Sequence, residues 1–216
     1  MAKKPVQVKI CGLTDEEMVD AAIDAGADFL GVVFFAKSPR NLTIERAAEV
    51  LEFVPEEVKR VGLFVNPDDA FLEDAMNNLR LDMFQLHGSE SPERIEAIRL
   101  EFGMPVIKAL GISSAADLDA AQAYADVADW LLFDAKAPAG ADRPGGNAAA
   151  FDWSLLAGRK WPCPWMLAGG LDAANVAEAI RLSGARAVDV SSGVESAPGV
   201  KDAEKIAAFI AAAKGE

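Results

Sequence analysis

Residues 6–25, VQVKICGLTDEEMVDAAIDA, place an apolar run directly before an amphipathic stretch, and this pairing determines the fold. The apolar residues 6–11 are typical of a buried β-strand. Thr14, with Glu17 three positions later, predicts a capping box that starts a helix, and Gly26 is placed to end that helix. A strand followed at once by a helix is the repeating unit of a parallel sheet.

The same unit recurs eight times along the chain, which gives 216/8 = 27 residues per unit. Further strands are predicted at residues 28–34, 58–65, 81–86, 105–110, 129–133, 164–168 and 186–190. The helices that follow them are predicted at residues 43–53, 68–79, 92–102, 114–125, 152–156, 172–183 and 200–214. Strict alternation of this kind fits either an open doubly wound sheet or a closed eight-stranded barrel.

Two observations favour the barrel. Eight units is the number that closes a (βα)₈ barrel, known as a TIM barrel. A doubly wound sheet that binds a dinucleotide would need a G-x-G-x-x-G fingerprint after its first strand, and Cys11-Gly12-Leu13-Thr14 does not provide one. Because no Pro-, Gly- or Ser-rich linker divides the chain, we expect a single α/β domain, a (βα)₈ barrel, over residues 1–216.

Composition and charge exclude several classes of protein. A content of 51% hydrophobic and 25% charged residues is that of an ordinary globular protein. Lys and Arg total 21 while Asp and Glu total 34, so the net charge is −13. This acidity, and the lack of any long Lys/Arg run, argue against a nucleic-acid surface. An anionic substrate would therefore need positive groups concentrated in one place.

The sequence also bears on compartment and partners. It contains no run of 18 apolar residues, and no signal-peptide stretch follows its first residues. Cys11 and Cys163 are too few for a disulfide framework, and a single histidine, His87, argues against a structural zinc site. We expect a cytoplasmic protein without a membrane or nucleic-acid partner, present as a monomer or homodimer.

Polar side chains end several of the apolar runs, and the chemistry of such barrels lies at the C-terminal ends of their strands. Lys9 and Cys11 are two residues apart, so they face the same side of the first strand. Burying a lysine against apolar helices is costly, so both are predicted to point into the barrel. Asp189 lies on the strand that closes the barrel against the first one. We therefore predict a Lys9–Asp189 pair beneath the site.

Three of the candidate residues allow two interpretations each. Cys11 is either a small core residue or a thiolate general base whose pKa is lowered by nearby positive charge. Asp134 is either a structural residue, as a helix N-cap or a loop anchor, or a functional carboxyl, and its position at a strand end favours function. Arg40, after the second strand, is either a solvated loop charge or a two-pronged clamp for a carboxylate.

Two glycine-containing turns follow the seventh and eighth strands. In phosphate-binding barrels these two loops hold the phosphate through backbone N–H groups. The positions are Gly169, Gly170, Ser192 and Gly193. They predict a barrel of the phosphate-binding type with a small phosphorylated substrate. We expect its charge to be met by positive groups gathered at this face, namely backbone N–H groups and the side chains of Lys9, Arg40, Lys108 and Lys136.

Motifs spread over the whole chain, in order, point to one family. They are KICGL at residues 9–13, SPR at 38–40, GLFVN at 62–66, QLHG at 85–88, LFD at 132–134, FDW at 151–153, AGGL at 168–171, NV at 175–176 and VDVSSGVE at 188–195. The set resembles the phosphoribosylanthranilate isomerase family of tryptophan biosynthesis. The resemblance implies a (βα)₈ barrel, no cofactor, and an Amadori rearrangement of N-(5′-phosphoribosyl)anthranilate to 1-(2-carboxyphenylamino)-1-deoxyribulose 5-phosphate.

The resemblance also implies roles for individual residues. Cys11 matches the general base, Asp134 the general acid, and Arg40 the contact to the anthranilate carboxylate. The two glycine turns match the phosphate site, and Lys9, His87 and Asp189 would support the catalytic groups. One position departs from the family pattern, since Ala148 stands where glycine is usual. Loss of a glycine removes a positive-φ conformation, so loop closure could differ here.

Two other functions compete with this one. The first is another isomerase or a lyase that acts on a phosphorylated sugar in a phosphate-binding barrel. The indole-forming lyases of the pathway use paired carboxylates or a catalytic lysine, and the related histidine-pathway isomerase has an aspartate at the position of Cys11. The second is a barrel that binds a ligand without catalysis, which would be expected to have lost Cys11 or Asp134.

Overall fold

The computed structural model describes residues 5–137, 140–141, 143–146 and 150–215, and it shows a closed barrel of eight parallel strands. Each strand pairs with the next along the chain, and β8 closes the barrel against β1. The strands are β1 (Gln7–Cys11), β2 (Phe29–Phe34), β3 (Lys59–Phe64), β4 (Met83–Leu86), β5 (Val106–Ile112), β6 (Trp130–Ala135), β7 (Trp165–Leu167) and β8 (Ala187–Val190). The predicted barrel is confirmed, and the strand bounds lie within two residues of the predicted ones.

Helices follow the strands and cover the outside of the barrel. The α-helices are α1 (Glu16–Asp24), α2 (Ile44–Val50), α3 (Asp69–Asn78), α4 (Pro92–Phe102), α5 (Ala115–Ala125), α6 (Val176–Ser183) and α7 (Ala203–Lys214). After β6 the connection contains a short 3₁₀ helix, Trp153–Leu156, where the sequence predicted a short helix. No helix within the described ranges is long and apolar enough to cross a membrane.

An aspartate caps each of two helices that start later than predicted, and α6 starts at Val176, four residues after its predicted start at residue 172. Asp15, not Thr14, caps α1, and its carboxylate accepts a hydrogen bond from the Met18 amide at 2.9 Å. Asp202 caps α7 by accepting from the Lys205 amide at 3.1 Å. A carboxylate three residues before an amide satisfies one of the free N–H groups of the first helical turn.

The segment before α7 is therefore a hairpin and not the start of a helix. Strand β9 (Glu195–Ala197) pairs antiparallel with β10 (Val200–Lys201), although residues 200–202 were predicted to be helical. The hairpin turns the Lys201 side chain inward, where its ammonium lies 2.8 Å from Oε1 of Glu195. The same ammonium lies 3.0 Å from the carbonyl oxygen of Ser191, which connects the hairpin to the end of β8.

Alternation along the strands separates two apolar cores. Side chains such as Phe29, Ile107 and Leu132 pack inside the barrel, while their neighbours Leu30, Val106 and Leu131 pack against the helices. Near the C-terminal ends of the strands, Cys11 belongs to the inner layer of side chains. Two residues earlier on the same strand, the inner layer is polar because it contains the fully buried Lys9. The apolar barrel floor thus supports a polar site at one end.

Candidate active site

A cavity of about 790 Å³, partly open to solvent, lies at the C-terminal ends of the strands. The cavity brings together nearly all of the predicted site residues, although these come from distant parts of the chain. They are Cys11, Arg40, His87, Asp134, Gly169, Gly170, Asp189, Ser192 and Gly193. Lys9 does not line the cavity and lies beneath it, within the barrel.

The predicted pair beneath the site is confirmed. Nζ of Lys9 lies 2.8 Å from Oδ1 of Asp189, and the two residues are direct partners in the register of β1 and β8. Burial by itself lowers the pKa of Lys9, but the charge of Asp189 and the hydrogen bond to it hold that pKa above its ordinary value. Lys9 is therefore a charged group locked in an ion pair.

Cys11 lies on β1 next to this pair, and only 4% of the residue is exposed. Burial raises the pKa of its thiol; Lys9 and Lys201 act to lower it, while Asp189 raises it further. The prediction that the pKa of Cys11 is lowered overall is therefore wrong, because desolvation of the thiolate outweighs the effect of the nearby lysines. The raised pKa favours the neutral thiol.

Asp134, at the end of β6, is held by neighbours on both carboxylate oxygens. Oδ1 accepts a hydrogen bond from the Ala135 amide at 2.8 Å, and Oδ2 lies 3.4 Å from Nε2 of His87. The other ring nitrogen, Nδ1, lies 3.4 Å from Nε2 of Gln85. An amide N–H of Gln85 facing Nδ1 favours the tautomer in which His87 donates from Nε2 to Asp134.

Arg40 is not a solvated loop charge, because only 4% of it is exposed. Its guanidinium is bound by both oxygens of Glu195, with Nε to Oε1 at 2.6 Å and Nη2 to Oε2 at 2.8 Å. Nη1 is not used in this pair and faces the loop after β6, where a Cβ on Gly146 would lie only 2.8 Å from it. Sequence reasoning quoted Glu195 within a motif but gave it no role.

The expected cluster of free positive side chains does not exist in the predicted form. Lys108 points toward the helices, since its neighbours Ile107 and Ala109 point inward, and its ammonium lies 2.7 Å from Glu90. Lys136 is exposed and lies 3.3 Å from Asp117. Each of the four predicted cations is paired with a carboxylate. The cavity does contain the side chain of Arg143, which the predictions from sequence did not include.

The two glycine turns lie where they were predicted, at one side of the cavity. Gly169 and Gly170 have φ values of 86° and 65°, which favour glycine. A Cβ on Gly193 would lie 1.9 Å from the carbonyl oxygen of Leu171, so only glycine lets the two turns approach this closely. In the described part of the chain, the amides of residues 169, 170, 192 and 193 have no protein acceptor. They are available to an anion.

The chemistry that this arrangement supports is proton transfer next to an anion site. The cavity holds several groups that exchange protons, namely Cys11, His87, Asp134 and Asp189. Within the described ranges, no group of three or more His, Cys, Asp or Glu side chains is arranged to hold a metal ion. The Ala148 departure and its neighbour Asn147 lie outside the described residues.

Comparison with known proteins agrees with the geometry. The family model for N-(5′-phosphoribosyl)anthranilate (PRA) isomerase matches residues 8–212. The N-(5′-phosphoribosyl)anthranilate isomerase of Paramagnetospirillum magneticum is 67% identical over 211 residues, 98% of each chain. That of Rhodospirillum rubrum is 62% identical over 211 residues, 96% of this chain and 97% of the relative.

Solved structures support the same assignment. The Thermotoga maritima phosphoribosyl anthranilate isomerase superposes with a TM-score of 0.88 at 39% identity, over 98% of this chain and 100% of that one. Monomers of this dimeric enzyme give a TM-score of 0.82 at 36% identity, with the same coverage. A complex with reduced 1-(o-carboxyphenylamino)-1-deoxyribulose 5-phosphate gives 0.83 at 36%, again with 98% and 100% covered. The chain belongs to the N-(5′-phosphoribosyl)anthranilate isomerase family of tryptophan biosynthesis.

Proposed function

We propose that Cys11 is the general base and Asp134 the general acid of the isomerisation that this family catalyses. The observation that carries the proposal is that the thiol and the carboxyl enter one cavity from β1 and β6, beside four backbone amides that have no acceptor among the described residues. General acid–base catalysis needs two such groups within reach of one bound molecule. The Lys9–Asp189 pair and His87 are proposed to support them.

The reaction begins with ring opening. Protonated Asp134 gives its proton to the ribose ring oxygen, the bond from that oxygen to C1′ breaks, and the nitrogen lone pair forms an iminium ion with C1′. The Cys11 thiol loses its own proton to solvent, and the resulting thiolate removes the proton from C2′. The electrons of that C–H bond form a C1′–C2′ double bond, while the π electrons of the iminium bond return to the nitrogen and neutralise it. The resulting enolamine tautomerises to the ketone. The substrate nitrogen is the electron sink, so no cofactor is needed.

This order of steps explains how a buried thiol can act as a base. Burial raises the pKa of Cys11. The iminium ion places a positive charge beside the thiol after Asp134 has acted, and an opposite charge at close range favours the thiolate. The substrate thus adds a second positive charge to that of Lys9, whose effect on the thiol is opposed by its partner Asp189.

Substrate binding is proposed to use three surfaces of the cavity. The guanidinium of Arg40 would contact the anthranilate carboxylate through Nη1. The amides of the two glycine turns would bind the phosphate, as backbone N–H groups do at anion sites. Val33, Phe35 and Leu63 line the same cavity and would pack against the aromatic ring.

The wider setting is also part of the proposal. We propose a single domain over residues 1–216, a cytoplasmic location, a small phosphorylated substrate and no nucleic-acid partner. The oligomeric state would be a monomer or a homodimer. The Thermotoga maritima enzyme is dimeric, and its monomers have a solved structure, which supports either possibility for this chain.

The test follows the fluorescence of phosphoribosylanthranilate as purified protein consumes it. Cys11→Ala should lower kcat by about 10²–10⁴-fold, the usual contribution of one proton-transfer group. Cys163→Ala is the matched control, since Cys163 is a half-buried thiol before β7, and it should leave the rate unchanged. Equal rates for wild type and Cys11→Ala would exclude the proposed mechanism. Arg40→Ala should mainly raise KM, and an unchanged KM would exclude the carboxylate contact.

A further inference from the structure

Arg40, Glu195 and Lys201 form a buried cluster at the edge of the cavity. Their exposed fractions are 4%, 8% and 5%. Nζ of Lys201 lies 2.8 Å from Oε1 of Glu195, 3.0 Å from the Ser191 carbonyl and 3.3 Å from the Ser191 hydroxyl. Three acceptors around one amine nitrogen match the three N–H bonds of an ammonium group. The cluster therefore holds two positive charges and one negative charge.

Glu195 is held by donors on both oxygens. Oε1 accepts from Nε of Arg40 and from Lys201, and Oε2 accepts from Nη2 of Arg40 and from the Gly199 amide at 3.1 Å. Two of these four donors come from the β9–β10 hairpin, since Lys201 lies on β10 and Gly199 in the turn before it. Four donors hold the Glu195 carboxylate in one orientation. Its bidentate contact with Arg40 then fixes the orientation of the guanidinium.

The pairing leaves one edge of Arg40 for a ligand. Nε and Nη2 are bound to Glu195, so Nη1 is the nitrogen that remains toward the loop after β6 and the cavity. Without Glu195, the flexible arginine side chain could turn any of its nitrogens toward the cavity or away from it. The contact thus determines which edge of Arg40 is presented.

We infer that Glu195, fixed by Lys201 and the β9–β10 hairpin, is a positioning residue that aims Arg40 at the carboxylate of the substrate. The inference rests on the role proposed for Arg40. It also connects two binding surfaces, because Lys201 binds Ser191, which directly precedes the Ser192-Gly193 turn proposed to bind phosphate. The cluster therefore sets the spacing between the carboxylate and phosphate contacts, and this spacing selects a substrate that carries both groups.

Replacing Glu195 tests whether this residue acts by positioning Arg40 or only through its negative charge. Glu195→Gln keeps the side-chain length but changes the cluster from one net positive charge to two. If only charge mattered, the additional positive charge would attract an anionic substrate more strongly and KM would fall. If Glu195 positions Arg40, KM rises because the amide offers one acceptor oxygen where the carboxylate offered two. The two explanations predict opposite signs.

The experiment measures kcat, KM and inhibition for wild type, Arg40→Ala, Glu195→Gln and Lys201→Met. Glu195→Gln should raise KM by about tenfold or more, the value of one hydrogen bond to a charged group, with kcat nearly unchanged. It should weaken inhibition by reduced 1-(o-carboxyphenylamino)-1-deoxyribulose 5-phosphate but not inhibition by inorganic phosphate. Lys201→Met should weaken both, because Lys201 also holds Ser191. Glu178→Gln, in an exposed pair with Arg181, is the matched control and should match wild type.

The outcomes distinguish the inference from the function on which it rests. If Arg40→Ala raises KM while Glu195→Gln leaves it equal or lower, Glu195 does not position Arg40. If Arg40→Ala leaves KM unchanged, the carboxylate contact itself is wrong, and the inference is overturned with it. If Glu195→Gln does not fold, Lys201→Met provides the test. If both compounds inhibit Lys201→Met as strongly as they inhibit wild type, the inference is overturned.

Discussion

Nζ of Lys9 lies 2.8 Å from Oδ1 of Asp189 within the barrel, next to the thiol of Cys11. Burial has the largest effect on the pKa of the thiol and raises it. The lysine lowers this pKa and the aspartate raises it, so the two charges of the ion pair act in opposite directions at Cys11. Asp189 therefore acts with burial to favour the neutral thiol before substrate binds.

The pH dependence of kcat/KM tests these opposing effects of Lys9 and Asp189 on the pKa of Cys11. Because kcat/KM reports the protonation state of the free enzyme, a thiol with a raised pKa makes kcat/KM of wild type rise with pH through the neutral range and above about pH 8.5. Asp189→Asn removes a charge that raises this pKa and leaves Lys9 in place. We expect the rising limb to move to lower pH in this variant, as measured by progress curves across a pH series.

A stability measurement must accompany that profile. Asp189→Asn leaves a fully buried ammonium without its ion-pair partner, which typically costs about 3–5 kcal/mol in the free energy of unfolding. Urea unfolding should show this loss, and the pH series must be run where the variant stays folded. A limb that moves to higher pH, or does not move, would contradict the assignment of Cys11 as the titrating base.

The substitution Asp134→Asn tests the proposed role of Asp134 as the general acid. An asparagine keeps an oxygen that can accept the Ala135 amide, so the end of β6 and the thermal unfolding temperature should change little. It cannot deliver a proton to the ring oxygen, so kcat should fall by about 10²–10⁴-fold. Single-turnover measurements with phosphoribosylanthranilate would show the loss in the chemical step. A variant with wild-type kcat would remove Asp134 from proton transfer.

The residues that sequence could place are those fixed by local rules. The Lys9–Asp189 pair follows from strand alternation and from the closure of β8 on β1. The same alternation puts Lys108 on the helix side, as Ile107 on the neighbouring position points inward. The contact between Arg40 and Glu195 spans 155 residues and depends on a hairpin that local pattern did not separate from a helix. Long-range pairing of this kind leaves no periodic signal along the chain.

Acid sensitivity should also depend on Glu195. Burial by itself raises the pKa of this carboxyl, but the contacts from Arg40 and Lys201 hold it below the ordinary value of 4.5. A carboxyl whose pKa is lowered in the folded state adds stability above its unfolded pKa, and that stability is lost as pH falls toward the folded pKa. The free energy of unfolding of wild type should therefore fall as pH drops below about 4.5.

Glu195→Gln should show a weaker dependence on pH over this range, because its side chain does not titrate. Urea unfolding at a series of pH values gives the two slopes. Glu178→Gln is the control, since the Glu178 carboxyl is solvent-exposed and water screens its contact with Arg181. It should retain the wild-type slope. Parallel curves for wild type and Glu195→Gln would show that Glu195 does not contribute to acid stability.

Gly12 provides a final test of the position of Arg40. A Cβ on Gly12 would lie 2.3 Å from Cδ of Arg40, and the residue has a φ of +80°. Gly12→Ala should therefore displace the arginine side chain and raise KM, in addition to a strain cost of about 1–3 kcal/mol from the left-handed backbone. Gly103→Ala separates the two effects, because Gly103 has a φ of +63° but no atom within 4 Å of an added Cβ. Both variants should lose stability in urea unfolding, while only Gly12→Ala should raise KM. An equal KM in the two variants would mean that the path of Arg40 over Gly12 does not matter for substrate binding.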